Sequence, residues 1–172
     1  MTIRFLPALL LLFCLRAFGQ NEQPASPFPF NISLIKPDSS AVNSAAVLKT
    51  GKPTVLAFWL TTCPPCHLEL AAYTKNYAER KKEADFNLVA ISMDFPERFA
   101  KVQAMVQEKN WPFQVYWDHT RAFKTTLPGG LNGLPQVFLF DKNGALVWQH
   151  KKYATGDEAE LFAQIKALQA AR

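Results

Sequence analysis

The sequence predicts a three-layer α/β sandwich, a mixed sheet between two layers of helices with an antiparallel hairpin closing one edge. Three observations predict it. The runs Thr54–Leu60 and Leu88–Ile91 are continuously apolar and rich in β-prone residues, as befits strands buried on both faces. Stretches with helical spacing of apolar residues separate the strand-like runs, and strands alternating with helices imply parallel pairing with helices on both faces. Near the C-terminus, Gln136–Phe140 and Ala145–His150 flank the turn Asp141-Lys142-Asn143-Gly144, which reads as a hairpin.

The chain begins with a segment of different character. Met1–Arg4 carries a positive charge, Phe5–Leu15 is apolar, and Ala17-Phe18-Gly19 puts small residues where a signal peptidase reads. This is the three-part pattern of a secretory signal, expected over residues 1–19. Cys14 follows Phe13 rather than a small residue, so lipidation is not expected. Residues 20–29 are polar and proline-rich and read as a flexible tether. The domain is expected over residues 30–172.

Within it, Phe30–Ile35 predicts a first strand. Ser44 is placed to cap a short helix through Lys49, stopped by Gly51. After the strand Thr54–Leu60, the stripe Leu70, Tyr73, Tyr77 predicts a helix from Pro64 to about Lys82. After Leu88–Ile91, Pro96 opens a helix in which Phe99, Val102 and Val106 share a face to about Lys109. Phe113–Trp117 reads as a third buried strand and Asp118 as the start of a helix to about Leu127. Beyond the hairpin, Thr155 with Glu158 fits a capping box, and Leu161, Ile165 and Leu168 mark a last amphipathic helix.

Composition narrows the function. The chain has 172 residues, 49% of them apolar and 19% charged, which suits one ordinary globular domain and argues against disorder. No apolar run reaches the length of a membrane span. The net charge of +5 is modest and dispersed, with no basic block to track a phosphate backbone, so nucleic acid is not an expected partner.

Cys14 belongs to the expected signal, which leaves Cys63-Pro64-Pro65-Cys66 as the remaining thiols. A bridge enclosing two residues removes little chain entropy, so this pair points to chemistry rather than to stability. It sits where a buried strand gives way to a helix. The unpaired N–H groups and positive dipole of a first helical turn stabilise a thiolate at Cys63 and lower its pKa. Cys66 lies on the same helical face, within disulfide reach. Cys63 is therefore the expected nucleophile and Cys66 the resolving thiol. The prolines between them remove two N–H groups that would otherwise bond to the sulfur. Glu69 is an i,i+3 neighbour of Cys66, where a carboxyl relays a proton or disfavours the Cys66 thiolate. A solvated helix-face glutamate is the competing explanation.

The segment Phe58-Trp59-Leu60-Thr61-Thr62-Cys63-Pro64-Pro65-Cys66, the Gly133-Leu134-Pro135 triplet and the closing Asp-Lys-Asn-Gly hairpin resemble the TlpA/ResA type of thioredoxin-like thiol–disulfide oxidoreductases. The resemblance runs from about Phe30 to Leu168. It implies a thioredoxin-like fold and an exported, periplasmic or cell-envelope enzyme that reduces protein disulfides, apocytochrome c among its possible substrates. It also implies a membrane thiol reductase as electron donor, and no cofactor. Cys63 then matches the exposed nucleophile, Cys66 its buried partner, and Glu69 an acidic residue of the reducing members. Pro135 matches a cis-proline facing the disulfide, and with Leu134, Pro64 and Pro65 it makes the expected substrate-binding surface. Trp59 matches a tryptophan packed behind the site.

Three positions depart from the pattern. Ala57 stands where thioredoxins carry a buried Asp, Thr62 replaces the tryptophan before the first Cys, and Gln136 follows Pro135 where Thr is usual. The missing acid leaves any proton relay to Glu69 or water, and each departure bears on the substrate surface rather than on the reaction. Other readings compete. Cys63, Cys66 and His67 with a distant His119 resemble the copper-binding Sco group, although that group spaces its cysteines by three residues. An oxidase or isomerase of exported disulfides shares the same motif. A peroxidase needs Thr or Ser three residues before its reactive Cys, where Leu60 and Cys63 stand instead. For Trp111, Tyr116 and Trp117, core packing is expected ahead of a binding face.

Overall fold

The structure, a computed structural model, describes residues 28–170. The expected signal and residues 20–27 of the expected tether lie outside the described residues. A sheet of seven strands carries the fold: β1 (Ser33–Ile35), β2 (Ala41–Asn43), β3 (Thr54–Trp59), β4 (Asn87–Ser92), β5 (Gln114–Trp117), β6 (Gln136–Phe140) and β7 (Leu146–Lys151). Their order is β2-β1-β5-β4-β3-β6-β7. The helices are α1 (Ser44–Val47), α2 (Pro64–Lys75), α3 (Tyr77–Glu83), α4 (Phe99–Lys109), α5 (Phe123–Thr126) and α6 (Asp157–Ala170).

The central strands β3, β4 and β5 are parallel, and β6 and β7 run antiparallel at one edge. Every residue of β3 is buried, as its continuous apolar run requires. Alternation along the strand divides it between two cores. Val55, Ala57 and Trp59 face the cluster shared with α2, α4 and α6, where Leu70, Val102, Leu161 and Ile165 are buried. Leu56 and Phe58 face the opposite cluster with Leu48, Phe123 and Phe138. Helices thus cover both faces, and the architecture is the α/β/α sandwich with a closing hairpin.

The second edge was not foreseen. β1 pairs antiparallel with β5, and β2 folds back on β1, so parallel pairing stops at β5. Three-residue strands are too short to show periodicity. Phe28, within the expected tether, stacks on Phe140 at 4.7 Å, so this end of the expected tether belongs to the packed domain.

Side chains move several expected boundaries. The helix expected to Lys82 breaks at Asn76; Thr74 donates its hydroxyl to Leu70 O at 2.8 Å, a bond that bends helices. Asn43, not Ser44, caps α1 through a bond from Ala45 N, while the buried Ser44 hydroxyl accepts from Ile32 N. Asp118 opens no helix: Arg121 follows at φ +58°, and the Asp118 carboxylate instead accepts from Phe123 N at 2.9 Å, at the start of α5. At α6 the expected capping by Thr155 is replaced by Asp157 and Glu158, which accept from Ala154 N and Gly156 N.

In the closing turn Gly144 has φ +88°, and a Cβ there would lie 3.0 Å from the Phe28 ring. Gly144→Ala is expected to cost more than about 1 kcal/mol, from the positive φ together with displacement of Phe28. Denaturant unfolding of the variant checks this, and an unchanged midpoint would show that Phe28 does not hold the turn.

Candidate redox site

The site is built where β3 runs into α2. After Trp59 the chain turns, with Cys63 N donating to Leu60 O at 3.1 Å. Cys63 is then the N-cap of α2, and its Sγ accepts from Cys66 N at 3.3 Å. Pro64 and Pro65 occupy the first two helical positions, as suits residues without N–H, so Cys66 supplies the first amide available to the sulfur. The two sulfurs form a disulfide, with Cα atoms 5.3 Å apart. Cys66 is fully buried while Cys63 keeps 9% of its surface, and Pro64 and Pro65 flank it in the open. Attack from outside therefore reaches Cys63.

His67 is drawn into the same turn. Its backbone N–H donates to Cys63 O, and its Nε2 lies 3.1 Å from Leu60 O. Trp59 is fully buried, edge-on to His67 and to Trp111, and its indole N–H has no partner among the described residues.

Glu69 is not a solvated helix-face residue: it is 2% exposed, one turn beyond Cys66. Burial pushes its carboxyl up to about 8; a hydrogen bond with the Tyr73 hydroxyl opposes the shift, and the Asp157 charge adds to it. Burial likewise raises Tyr73.

The Leu134–Pro135 peptide is cis. Pro135 immediately precedes β6, whose Gln136 pairs with Phe58, so Pro135 arrives beside the end of β3 from which the Cys63 turn departs. Leu134 is half-buried beside it. Gln136 does not touch the outer surface, as its replacement of the usual Thr had suggested. It is fully buried, donating to Gly130 O at 3.2 Å and accepting from Asn132 N at 3.3 Å, and so pins the loop that ends in Pro135.

The sequence reading missed Asp94, a fully buried carboxylate beyond the end of β4. It accepts from Thr61 N (2.8 Å), the Thr61 hydroxyl (2.7 Å) and the Ser92 hydroxyl (2.9 Å), and pairs with Arg98 Nε at 3.2 Å. It thereby clamps the residue two before Cys63. A Ser and an Asp just past an apolar parallel strand, at the end of the sheet where sites gather, were the signal available. Tyr116 and Trp117 are core residues, as expected, and Trp117 Nε1 bonds to Asp94 O. Among the described residues no three His, Cys, Asp or Glu side chains gather in a way that would hold a metal ion.

Comparison with known proteins agrees with this geometry. The thiol-disulfide oxidoreductase ResA of Halalkalibacterium halodurans is 29% identical over 115 residues, covering 67% of this chain and 62% of the relative. The thiol:disulfide interchange protein DsbE of Pasteurella multocida is 24% identical over 104 residues, covering 60% of this chain and 53% of the relative. The chain thus spans less than two thirds of either relative. A thioredoxin-like protein of Porphyromonas gingivalis superposes with a TM-score of 0.69 at 31% identity, over 81% of this chain and 90% of that one. StoA of Bacillus subtilis shares the fold, with a TM-score of 0.62. The Redoxin family model matches residues 23–165, a span that includes the disulfide, the buried glutamate and the cis-proline, and the chain belongs to that family.

Proposed function

We propose that the chain is an exported thiol–disulfide oxidoreductase that reduces disulfides of exported proteins, with Cys63 as nucleophile and Cys66 as resolving thiol. The observation that carries this is the cap of α2: a largely buried pair of sulfurs whose outer member, Cys63, keeps the exposed surface, sits at a helix N-terminus and accepts a backbone N–H. That environment favours a thiolate at Cys63.

The exchange runs in two steps. The Cys63 thiolate attacks one sulfur of a substrate disulfide, forming a mixed disulfide and releasing the other substrate sulfur as thiolate. Cys66, deprotonated, then attacks Cys63 Sγ, which closes the Cys63–Cys66 bond and releases the second substrate thiolate. Two electrons pass to the substrate, and the pair must be re-reduced by an external dithiol. In an oxidising compartment a membrane thiol reductase supplies them. Glu69, one turn beyond Cys66, is the group that exchanges a proton with it; burial holds this carboxyl up at about 8, so it gains or gives up a proton close to neutral pH. Pro135, Leu134, Pro64 and Pro65 form the surface on which substrate backbone lies. The names of the ResA and DsbE relatives, the secretory pattern of residues 1–19 and the tether-like residues after it support the reading, and apocytochrome c is one substrate it admits.

Cys63→Ser is expected to abolish disulfide reduction, while Cys66→Ser traps substrates as mixed disulfides visible on non-reducing gels. Activity retained in Cys63→Ser would sink the mechanism. Equilibration with thiol/disulfide buffers is expected to place the pair at or below about −230 mV; a value near −120 mV would make it an oxidant instead.

Glu69 generates a third expectation. Its folded pKa lies above the ordinary value of 4.5, so the folded chain holds a proton that the unfolded chain releases. This contribution to stability is fully present below about pH 4.5 and is lost as pH rises towards 8. The oxidised protein should lose up to ~1.4 kcal/mol per pH unit in that window, and Glu69→Gln should flatten the slope. Denaturant midpoints from pH 5 to 8 read it, and equal slopes in the two proteins would refute a protonated Glu69.

A further inference from the structure

Beside the Pro135 loop lies a cleft of about 130 Å³ lined by Met93, Arg121, Lys124, Leu131, Gly133 and Leu134. Its volume is comparable to the ~150 Å³ cavities that admit a benzene-sized apolar molecule. Met93, Leu131 and Leu134 give it an apolar floor. The position is continuous with the redox site: Leu134 precedes Pro135, and Met93 N donates to Trp59 O, at the end of β3 that leads to Cys63. Two large apolar side chains stand exposed next to the residues that build the site, Phe95 at 54% beside Asp94 and Leu68 at 62% two residues beyond Cys66. Exposed apolar surface around a functional centre marks a contact face for another polypeptide.

The mouth of the cleft is cationic. Arg121 is held in place: its guanidinium donates to Met93 O and lies over the Phe95 ring at 4.2 Å. Those contacts use one of five N–H donors, and the other four make no hydrogen bond among the described residues. Lys124 follows one turn later and is exposed. Neither makes an ion pair among the described residues, although seven other pairs form. The two acids near them are taken: Asp94 by Thr61, Ser92 and Arg98, and Asp118 by Phe123 N and the Thr120 hydroxyl. A fixed guanidinium with unpaired donors and an exposed ammonium, set at the rim of an apolar cleft, match an apolar side chain followed by a carboxylate.

We infer that this cleft is the substrate-selecting subsite of the exchange reaction, and that it takes a polypeptide segment in which the reacting cysteine is flanked by an apolar and then an acidic residue. The inference rests on the thiol-exchange function proposed above. The apolar residue fills the cleft, the carboxylate bridges Arg121 and Lys124, and the backbone between them passes Pro135 to present its sulfur to Cys63. The pair also confers discrimination, because a basic residue at that position meets two like charges.

The test uses the full chain, reduced beforehand with dithiothreitol, and three disulfides. These are hydroxyethyl disulfide and two disulfide-linked peptide dimers that differ in one residue, Cys-Leu-Glu against Cys-Leu-Lys. Each rate is divided by that of dithiothreitol on the same compound, which removes the intrinsic effect of the neighbouring charge on the sulfur. The acidic dimer should react about tenfold faster than the basic one at low ionic strength, with the ratio shrinking towards one at about 1 M salt. Lys124→Glu, at an exposed side chain with no bond to lose, should lower the ratio severalfold, and Arg121→Glu with Lys124→Glu should invert it. Equal normalised rates for the two dimers, or a ratio that Lys124→Glu leaves unchanged, overturn the subsite while exchange with hydroxyethyl disulfide still stands. No reaction with hydroxyethyl disulfide overturns the exchange function itself, and the subsite with it.

Discussion

Asp94 is a fully buried carboxylate, and an anion withdrawn from water without partners costs several kcal/mol. Its partners are therefore not optional, and they fix the geometry of everything around the sulfurs. Two of them come from Thr61, on the turn that leads to Cys63; one comes from Ser92, at the end of β4; the charge partner, Arg98, opens α4. Arg98 Nε also donates to the Thr61 hydroxyl, so the turn is held from both sides. The backbone of Asp94 receives Trp117, which ties β5 into the same knot. Loosening any one contact leaves a buried charge short of a donor, so the turn before Cys63 is held far more tightly than an ordinary connection between a strand and a helix.

With the turn fixed, the start of α2 decides how the sulfurs are presented. Helix starts usually offer several N–H groups to whatever sits at the cap. Here Pro64 and Pro65 withhold two of them, and Cys63 Sγ receives the Cys66 amide. The sulfur keeps the dipole of a twelve-residue helix and one directional hydrogen bond, with little else to saturate it. Leu60 O, which accepts from Cys63 N and faces His67, makes the turn and the first helical turn one rigid piece.

The parts of this arrangement that rest on local pattern were readable in the sequence. The continuous apolar run of β3, the Cys-Pro-Pro-Cys step at its end and the stripe of α6 each declare themselves within a dozen residues. What stayed hidden depends on contacts between distant segments. Asp94 meets Thr61 across 33 residues, and nothing in the immediate sequence marks it as buried. The strands β1 and β2 are too short to show a period, and their antiparallel direction follows from pairing with β5 rather than from their own composition. Gln136 occupies a position that in a linear reading belongs to the substrate surface, yet its amide turns inward to hold Gly130 and Asn132. Glu69 falls between the two cases: its spacing from Cys66 was visible, while its burial needed α6 to cover it.

Three carboxyls are buried among the described residues, and their surroundings sort them. Asp94 and Asp118 are each surrounded by N–H and O–H donors, which is the environment of a structural anchor. Glu69 has the Tyr73 hydroxyl beside it and the negative charge of Asp157 nearby, which is the environment of a group kept protonated. Ala57 sharpens the contrast. It lies between Ala90 and Val137 in the sheet, so the strand beneath the disulfide offers no acid of its own. The buried carboxyl one turn beyond Cys66, on the helix that Cys63 caps, is Glu69. Cys63 keeps the only exposed sulfur surface of the pair, and the Glu69 carboxyl is buried beyond Cys66. Each stands in its own surroundings, a helix N-terminus for Cys63 and desolvation for Glu69.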